Sequence, residues 1–202
     1  MMVTAKPHLK GSAHLFKNKL LERLTRTHIA VPLVIFSVYA IGLLYWSFDH
    51  KFLSVGSTIL LFFLGALAFT FIEYLLHRYL FHLPPTSERN IKIAYNLHGI
   101  HHDYPKDKKR LAMPPYVSIL LATLFLLLYQ WMMGNAAFSF TAGFVVGYAG
   151  YLSVHYIVHA FQVPKNIFKI LWIHHGIHHH KRPDAAFGVS SPLWDVVFRT
   201  MP

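Results

Sequence analysis

From Val117 to Val154 this chain carries no Asp, Glu, Lys or Arg, and Ile29–Phe48 and Phe52–Ile72 are equally bare of charge. Inside hydrocarbon a backbone must satisfy its own N–H and C=O groups, so continuous apolar runs of this length fold as spanning helices. Each of the first two is about long enough to cross a core of roughly 30 Å. Asp49-His50-Lys51 joins them, and Gly134-Asn135 divides the long run in two, which predicts two helical hairpins.

The charge that is missing from these runs is gathered elsewhere. The chain is 54% hydrophobic and 13% charged, yet its formal net charge is +11, a combination that suits a membrane protein with one basic face. Nucleic-acid binding, the rival explanation of the charge, is excluded by the apolar runs. Six Lys or Arg lie in residues 1–28, seven in 73–115 and five after residue 160, so Lys51 alone of the 19 falls on the other side of a four-span topology. The positive-inside rule then places both termini and the long loop in the cytoplasm, under a bacterial inner membrane or the endoplasmic reticulum. The expected organisation is a single all-α membrane domain over residues 1–202. It has a basic arm at 1–28, hairpins at 29–72 and 117–154, and a cytoplasmic helical cap from 73–116 and 155–202. Residues 1–28 show no cleavable signal. Leu15, Phe16, Leu20 and Leu24 recur there at helical spacing among basic residues, as in a helix lying at the headgroups or in a solvated tail.

Histidine marks the chemistry. Five of the seven residues His174–His180 are histidines, and His98-Gly-Ile-His101-His102 repeats the spacing of His175-Gly-Ile-His178-His179. Within a helix such residues stand at i, i+3 and i+4 and share one face. Two clusters of one geometry read as two halves of one site. His77 and His82 follow the second span, and His155 and His159 end the fourth, so the topology brings all these histidines to one side of the membrane. His155 and His159 share a helix face, but His77 and His82 are about 140° apart on an ideal helix, so a local distortion must aim the second ring. Cysteine is absent, so a metal here rests on imidazole, with carboxylate or water. The ten histidines of the four motifs exceed what one ion needs, and two metals with about five imidazoles each is the economical reading.

The four histidine motifs, with Arg110-Leu-Ala-Met-Pro-Pro115 and the tail Phe187–Thr200, resemble the membrane fatty acid hydroxylase and sterol desaturase superfamily, and within it the fatty acid 2-hydroxylases most of all. The similarity covers most of residues 60–200. It implies a di-metal centre, two iron ions in the working enzyme, that uses molecular oxygen and two electrons to hydroxylate a lipid C–H bond. It carries His77, His82, His98, His101, His102, His155, His159, His175, His178 and His179 over as ligands. An unactivated C–H bond offers neither an acidic proton nor an electrophile, so a redox metal with an open position suits it. Zinc in purified protein is compatible with this, because affinity favours zinc over ferrous iron at many nitrogen sites. Glu73, Asp103 and Asp195 are candidates to orient the ligands from behind, as are the extra His174 and His180.

The sequence departs from that branch in two ways that bear on function. Members often carry a fused haem domain, whereas residues 1–28 lack its His-Pro-Gly-Gly signature, so a separate electron-donor protein is expected to dock on basic residues including Lys106, Lys108, Lys109 and Arg110. Leu152 stands three residues before His155, where the branch has an acid. Tyr148 and Tyr151, seven and four residues before His155, lie on roughly its helix face, and with Leu152 they are the expected lining for a fatty-acyl substrate from the bilayer. The resemblance favours attack at the 2-position. A carotenoid hydroxylase or sterol-type desaturase would keep the same metal site. A metal store or transporter is the reading from another class, but the middles of the spans lack the ionisable groups a transport path requires.

Overall fold

The computed structural model describes residues 7, 8 and 10–202; the rest of the basic arm, residues 1–6 and 9, lies outside the described residues. Every regular element among those described is helical. In order they are α1 (Lys19–Leu24), α2 (Ala30–Asp49), α3 (Val55–Leu75), α4 (Glu88–Ala94), α5 (Ile100–Asp103), α6 (Pro115–Met133), α7 (Ala136–Ala160), α8 (Lys169–His180) and α9 (Leu193–Val197). Two π-helical segments interrupt the α geometry: Leu76–Phe81 continues α3, and Tyr95–Gly99 joins α4 to α5. The chain divides into two compact units, one of residues 27–70 and 112–153, the other of residues 1–26, 71–111 and 154–202.

The first unit is the helical set able to cross a membrane. Four helices are long and apolar enough. Their surfaces expose residues such as Val38, Ile41, Phe63, Leu120 and Trp131, as expected where lipid is the solvent. Association in lipid relies on close packing at small residues rather than on the hydrophobic effect. A Cβ on Gly65 would stand 1.9 Å from the Phe140 carbonyl oxygen, and one on Gly143 would stand 1.8 Å from that of Phe62. Those two glycines let α3 and α7 touch through their backbones. Phe36, Ala40, Ala122, Ala142 and Val145 form the core, and Ser47 and Ser139 share a buried hydrogen bond of 3.0 Å. Proline near the start of α6 and Gly134 after it, at φ +58°, bound that helix as their conformational preferences require.

The second unit is held by polar contacts. Asn18 caps α1 by accepting from Leu20 and Leu21 N–H, and the Glu22 carboxylate accepts from Leu15 and Phe16 N–H. The predicted helix through Leu15 is therefore shorter, because these N–H groups turn back onto Glu22. Glu22 also pairs with Arg26 and with Arg110, whose side chain is only 4% exposed. Arg110 donates further to Thr25 and the Ala13 carbonyl. This corrects the expected docking surface. Arg110 is consumed inside the unit; Lys106, Lys108 and Lys109 are exposed, and of these Lys106 donates from Nζ to the His159 carbonyl at 2.7 Å.

Candidate metal centre

The distortion required between His77 and His82 is the π-helical turn Leu76–Phe81. Its i, i+5 geometry replaces the α-helical spacing and lets two residues five apart meet, so their rings lie 5.2 Å apart. A second π-helical segment at Tyr95–Gly99 carries His98 and delivers the chain into α5 with His101 and His102.

All ten motif histidines come together, but not as two motif-by-motif halves. His77, His82, His98, His102 and His178 form one group, and His101, His155, His159, His175 and His179 form the other, each with ring nitrogens within 4.8 Å of one another. The repeated motif is divided between them. Its first and last histidines, one helical turn apart, serve one group (His98 and His102, or His175 and His179). Its middle histidine, His101 or His178, crosses to the other. Each group thus takes a pair from the end of a spanning segment, a pair from one repeat and a single ring from the other repeat. The groups abut where His102 and His179 stack at 4.1 Å with planes 17° apart.

Backbone carbonyls fix several of these rings. His77 Nδ1 lies 2.5 Å from the Phe187 oxygen, His178 Nδ1 2.8 Å from that of Ala185, and His155 Nδ1 3.3 Å from that of Leu111. A carbonyl only accepts, so Nδ1 carries the proton and Nε2 turns a lone pair inward, the form that binds a metal. The Nε2 atoms meet in pairs: His77 with His98 at 3.1 Å, His82 with His178 at 3.0 Å, His101 with His155 at 2.9 Å and His159 with His175 at 2.8 Å. Ligands about 2.1 Å from one ion and at right angles about it would sit about 3.0 Å apart, so these separations suit shared coordination. Further buried nitrogens, His102 Nε2 and both of His179, have no hydrogen-bond partner. Unpaired buried polar atoms are costly, and a cation in each group would satisfy them. The donor set fits a pair of metal ions.

Burial keeps these imidazoles neutral. Desolvation lowers His98, His101, His102, His175 and His179 well below the usual histidine range, helped by neighbouring rings. It brings His82 to about 4 and, with repulsion from His82, His178 to about 3.

The other predicted residues separate. Asp195 is fully buried and accepts four hydrogen bonds: from Phe187 N–H at 2.9 Å, Gly188 N–H at 2.7 Å, Thr200 hydroxyl at 2.7 Å and His174 Nε2 at 2.9 Å. Burial opposes its charge, but those donors outweigh burial and hold it below the usual carboxylate range. His174 is therefore tied to Asp195, not turned to solvent. Glu73 accepts from Val189 N–H at 2.8 Å, Ser190 N–H at 3.0 Å and the Ser190 hydroxyl. Both acids hold the segment whose Phe187 carbonyl orients His77. Asp103 bonds through its side chain to Tyr95, and His180 is exposed at the end of α8. Tyr148 packs edge-on against Phe36 at 5.1 Å, Tyr151 lies 6.2 Å from Phe69, and Leu152 is buried. The carbonyls of Leu111, Ala185 and Phe187 escaped the sequence reading, since any residue type supplies one. The matching tail and the Arg110–Pro115 stretch were the available signals.

Fold and site together define a multi-pass helical membrane protein with two adjoining groups of five histidines that could each hold a metal ion. The fatty acid hydroxylase family matches residues 62–200, and the chain belongs to it. It is 40% identical over 139 residues to the dihydroceramide fatty acyl 2-hydroxylase FAH2 of Arabidopsis thaliana, a match covering 68% of this chain and 59% of that protein. It is 37% identical over 198 residues to the ceramide very long chain fatty acid hydroxylase SCS7 of Saccharomyces cerevisiae, covering 95% of this chain and 50% of the other. Human fatty acid 2-hydroxylase is 37% identical over 145 residues, 70% of this chain and 39% of its own. A solved structure of full-length scs7p, with only its hydroxylase domain visible, matches at a TM-score of 0.86 and 35% identity over 96% of this chain and 73% of that one. The chain spans 59%, 50% and 39% of the lengths of the three curated relatives.

Proposed function

We propose that this protein hydroxylates a fatty-acyl chain at its 2-position, with the ten clustered histidines as ligands of two iron ions. The observation that carries this reading is the pair of five-imidazole groups in contact, with inward lone pairs and without a thiolate or carboxylate ligand. The bound irons supply the redox chemistry by which one atom of molecular oxygen enters a C–H bond and the other leaves as water, at the cost of two electrons and two protons. The protein's own part is to hold the rings neutral, orient them through Leu111, Ala185 and Phe187, and brace that frame with Glu73 and Asp195. Relatives named for acting on ceramide or dihydroceramide acyl groups support an N-acyl or fatty-acyl substrate at the 2-position. Tyr148, Tyr151 and Leu152 are assigned to its apolar portion. The positive-inside distribution supports a cytoplasmic face for the centre and both termini.

Expression in cells followed by lipid extraction and fragmentation mass spectrometry tests the reading. The expected product is a 2-hydroxy acyl chain, lost when His101→Ala replaces a ligand. Hydroxyls at other positions would defeat the positional assignment, and oxidation confined to sterols or carotenoids would defeat the substrate class. Electrons are proposed to reach the centre from outside these 202 residues, through a donor drawn to exposed basic residues such as Lys108 and Lys109. Repeated turnover of this purified chain with a nicotinamide cofactor and oxygen alone would contradict that.

A further inference from the structure

A cleft of about 90 Å³ opens beside the second histidine group and none of its lining residues belongs to the first. Its buried end is formed by His159, His175 and His179, and its exposed edge by Lys106 and His180. Gly176 of α8 lies on the wall between them. A volume of this size holds a few waters or a diatomic molecule, and it falls well below the roughly 300 Å³ at which drug-sized ligand pockets begin. It is too small for the acyl chain.

One feature shows that the cleft is built to stay open. Gly176 sits inside a helix, where glycine costs roughly 1 kcal/mol relative to alanine. It lacks the usual justifications, because its φ is not positive and a Cβ there would meet nothing within 4 Å. What the missing side chain leaves free is the cleft.

We infer that this cleft is the small-molecule port of the second group, through which dioxygen arrives and product water departs, separately from the lipid. The inference rests on the hydroxylase reading for the identity of the gas, but not for the existence of the port. Azide, a linear triatomic anion that binds open metal positions, is the probe, and its association with the metal-loaded full-length chain in detergent is followed by stopped-flow absorbance. Gly176→Leu fills the wall and is expected to slow azide association by roughly tenfold with metal content unchanged. Gly176→Ala, which adds one methyl group, is expected to slow it less. His180→Trp narrows the exposed edge without touching the helix packing, and it decides the matter if Gly176→Leu loses its metals. In turnover, the same variants are expected to raise KM for oxygen while kcat at saturating oxygen is retained. Azide association at the parental rate in a metal-retaining Gly176→Leu protein, or in His180→Trp where Gly176→Leu has lost its metals, would overturn the port. Gated azide binding in a chain that oxidises no acyl lipid would instead overturn the hydroxylase reading and leave the port standing.

Discussion

Asp195 shows how much one buried carboxylate can organise. Its two oxygens take donors from His174 of α8, from the Phe187–Gly188 backbone and from Thr200. Through His174 it reaches the helix carrying three motif histidines, and through Phe187 it reaches His77 at the end of the second span. Thr200 extends the chain of contacts by accepting from the buried Tyr74 hydroxyl at 3.0 Å, and that hydroxyl accepts from Arg78 at 2.8 Å. Asparagine would offer one acceptor oxygen and would present its own N–H groups to donors. Each buried donor left unpaired costs about 1–3 kcal/mol. Asp195→Asn is therefore expected to lower Tm and to reduce bound metal below two per chain, whereas Thr200→Val, which removes a single donor, should do less. Elemental analysis alongside thermal melts checks this, and a fully metallated, equally stable Asp195→Asn protein would refute the organising role. Close approach makes a second demand here: a Cβ on Gly188 would lie 2.2 Å from the Ser191 oxygen and 2.9 Å from Asp195 Oδ2.

At the scale of elements, the motif His-Gly-Ile-His-His works as a splitter. One face of a short helix sends an i, i+4 pair to one group and the intervening i+3 ring to the other, so neither repeat builds a site alone. The double variant His98→Ala/His102→Ala should empty the first group and spare the second, leaving about one metal per chain if each group holds one ion. If each repeat instead served one site as a unit, His101→Ala added to that pair would change nothing more. Under the interleaved arrangement it weakens the second group as well. Metal counts on the double and triple variants separate the two outcomes. The π-helical turn before His82 belongs to the same scale, because deleting one residue from Leu76–Phe81 would restore α spacing and rotate that ring away.

For the molecule as a whole, gathering ten neutral imidazoles in a buried volume makes stability depend on pH and on metal. Burial holds His82 at about 4 and His178 at about 3, against the ordinary 6.5. Below 6.5 the unfolded chain takes up protons on these rings that the folded chain refuses, so the unfolded state gains. The contribution is present in full above 6.5 and is lost as pH falls from there toward 4. Chelator-treated protein should accordingly melt at a lower temperature at pH 5 than at pH 7.5. The metal-loaded protein should release its ions over the same interval, as protons compete for the lone pairs. Equal melting temperatures at both pH values in the stripped protein would show that the rings are not buried neutral.

The sequence by itself determined the helical class, the four spans and the ten histidines that converge. Uncharged runs such as 117–154 admit few other folds in lipid, and imidazole at i, i+3 and i+4 is legible without coordinates. It also showed that His77 and His82 required a distorted helix, since 3.6 residues per turn could not bring them together. Only the tertiary structure decided which ring serves which group, because all three rings of a repeat share a face and the choice depends on what packs opposite. The same holds for Arg110. Its charge was plain in the sequence, but whether it faced solvent or Glu22 depended on an arm 88 residues away in the chain. The carbonyls that aim His77, His155 and His178 were hidden for a simpler reason: backbone oxygens are the same at every residue, and only the path of the chain brings one to a ring.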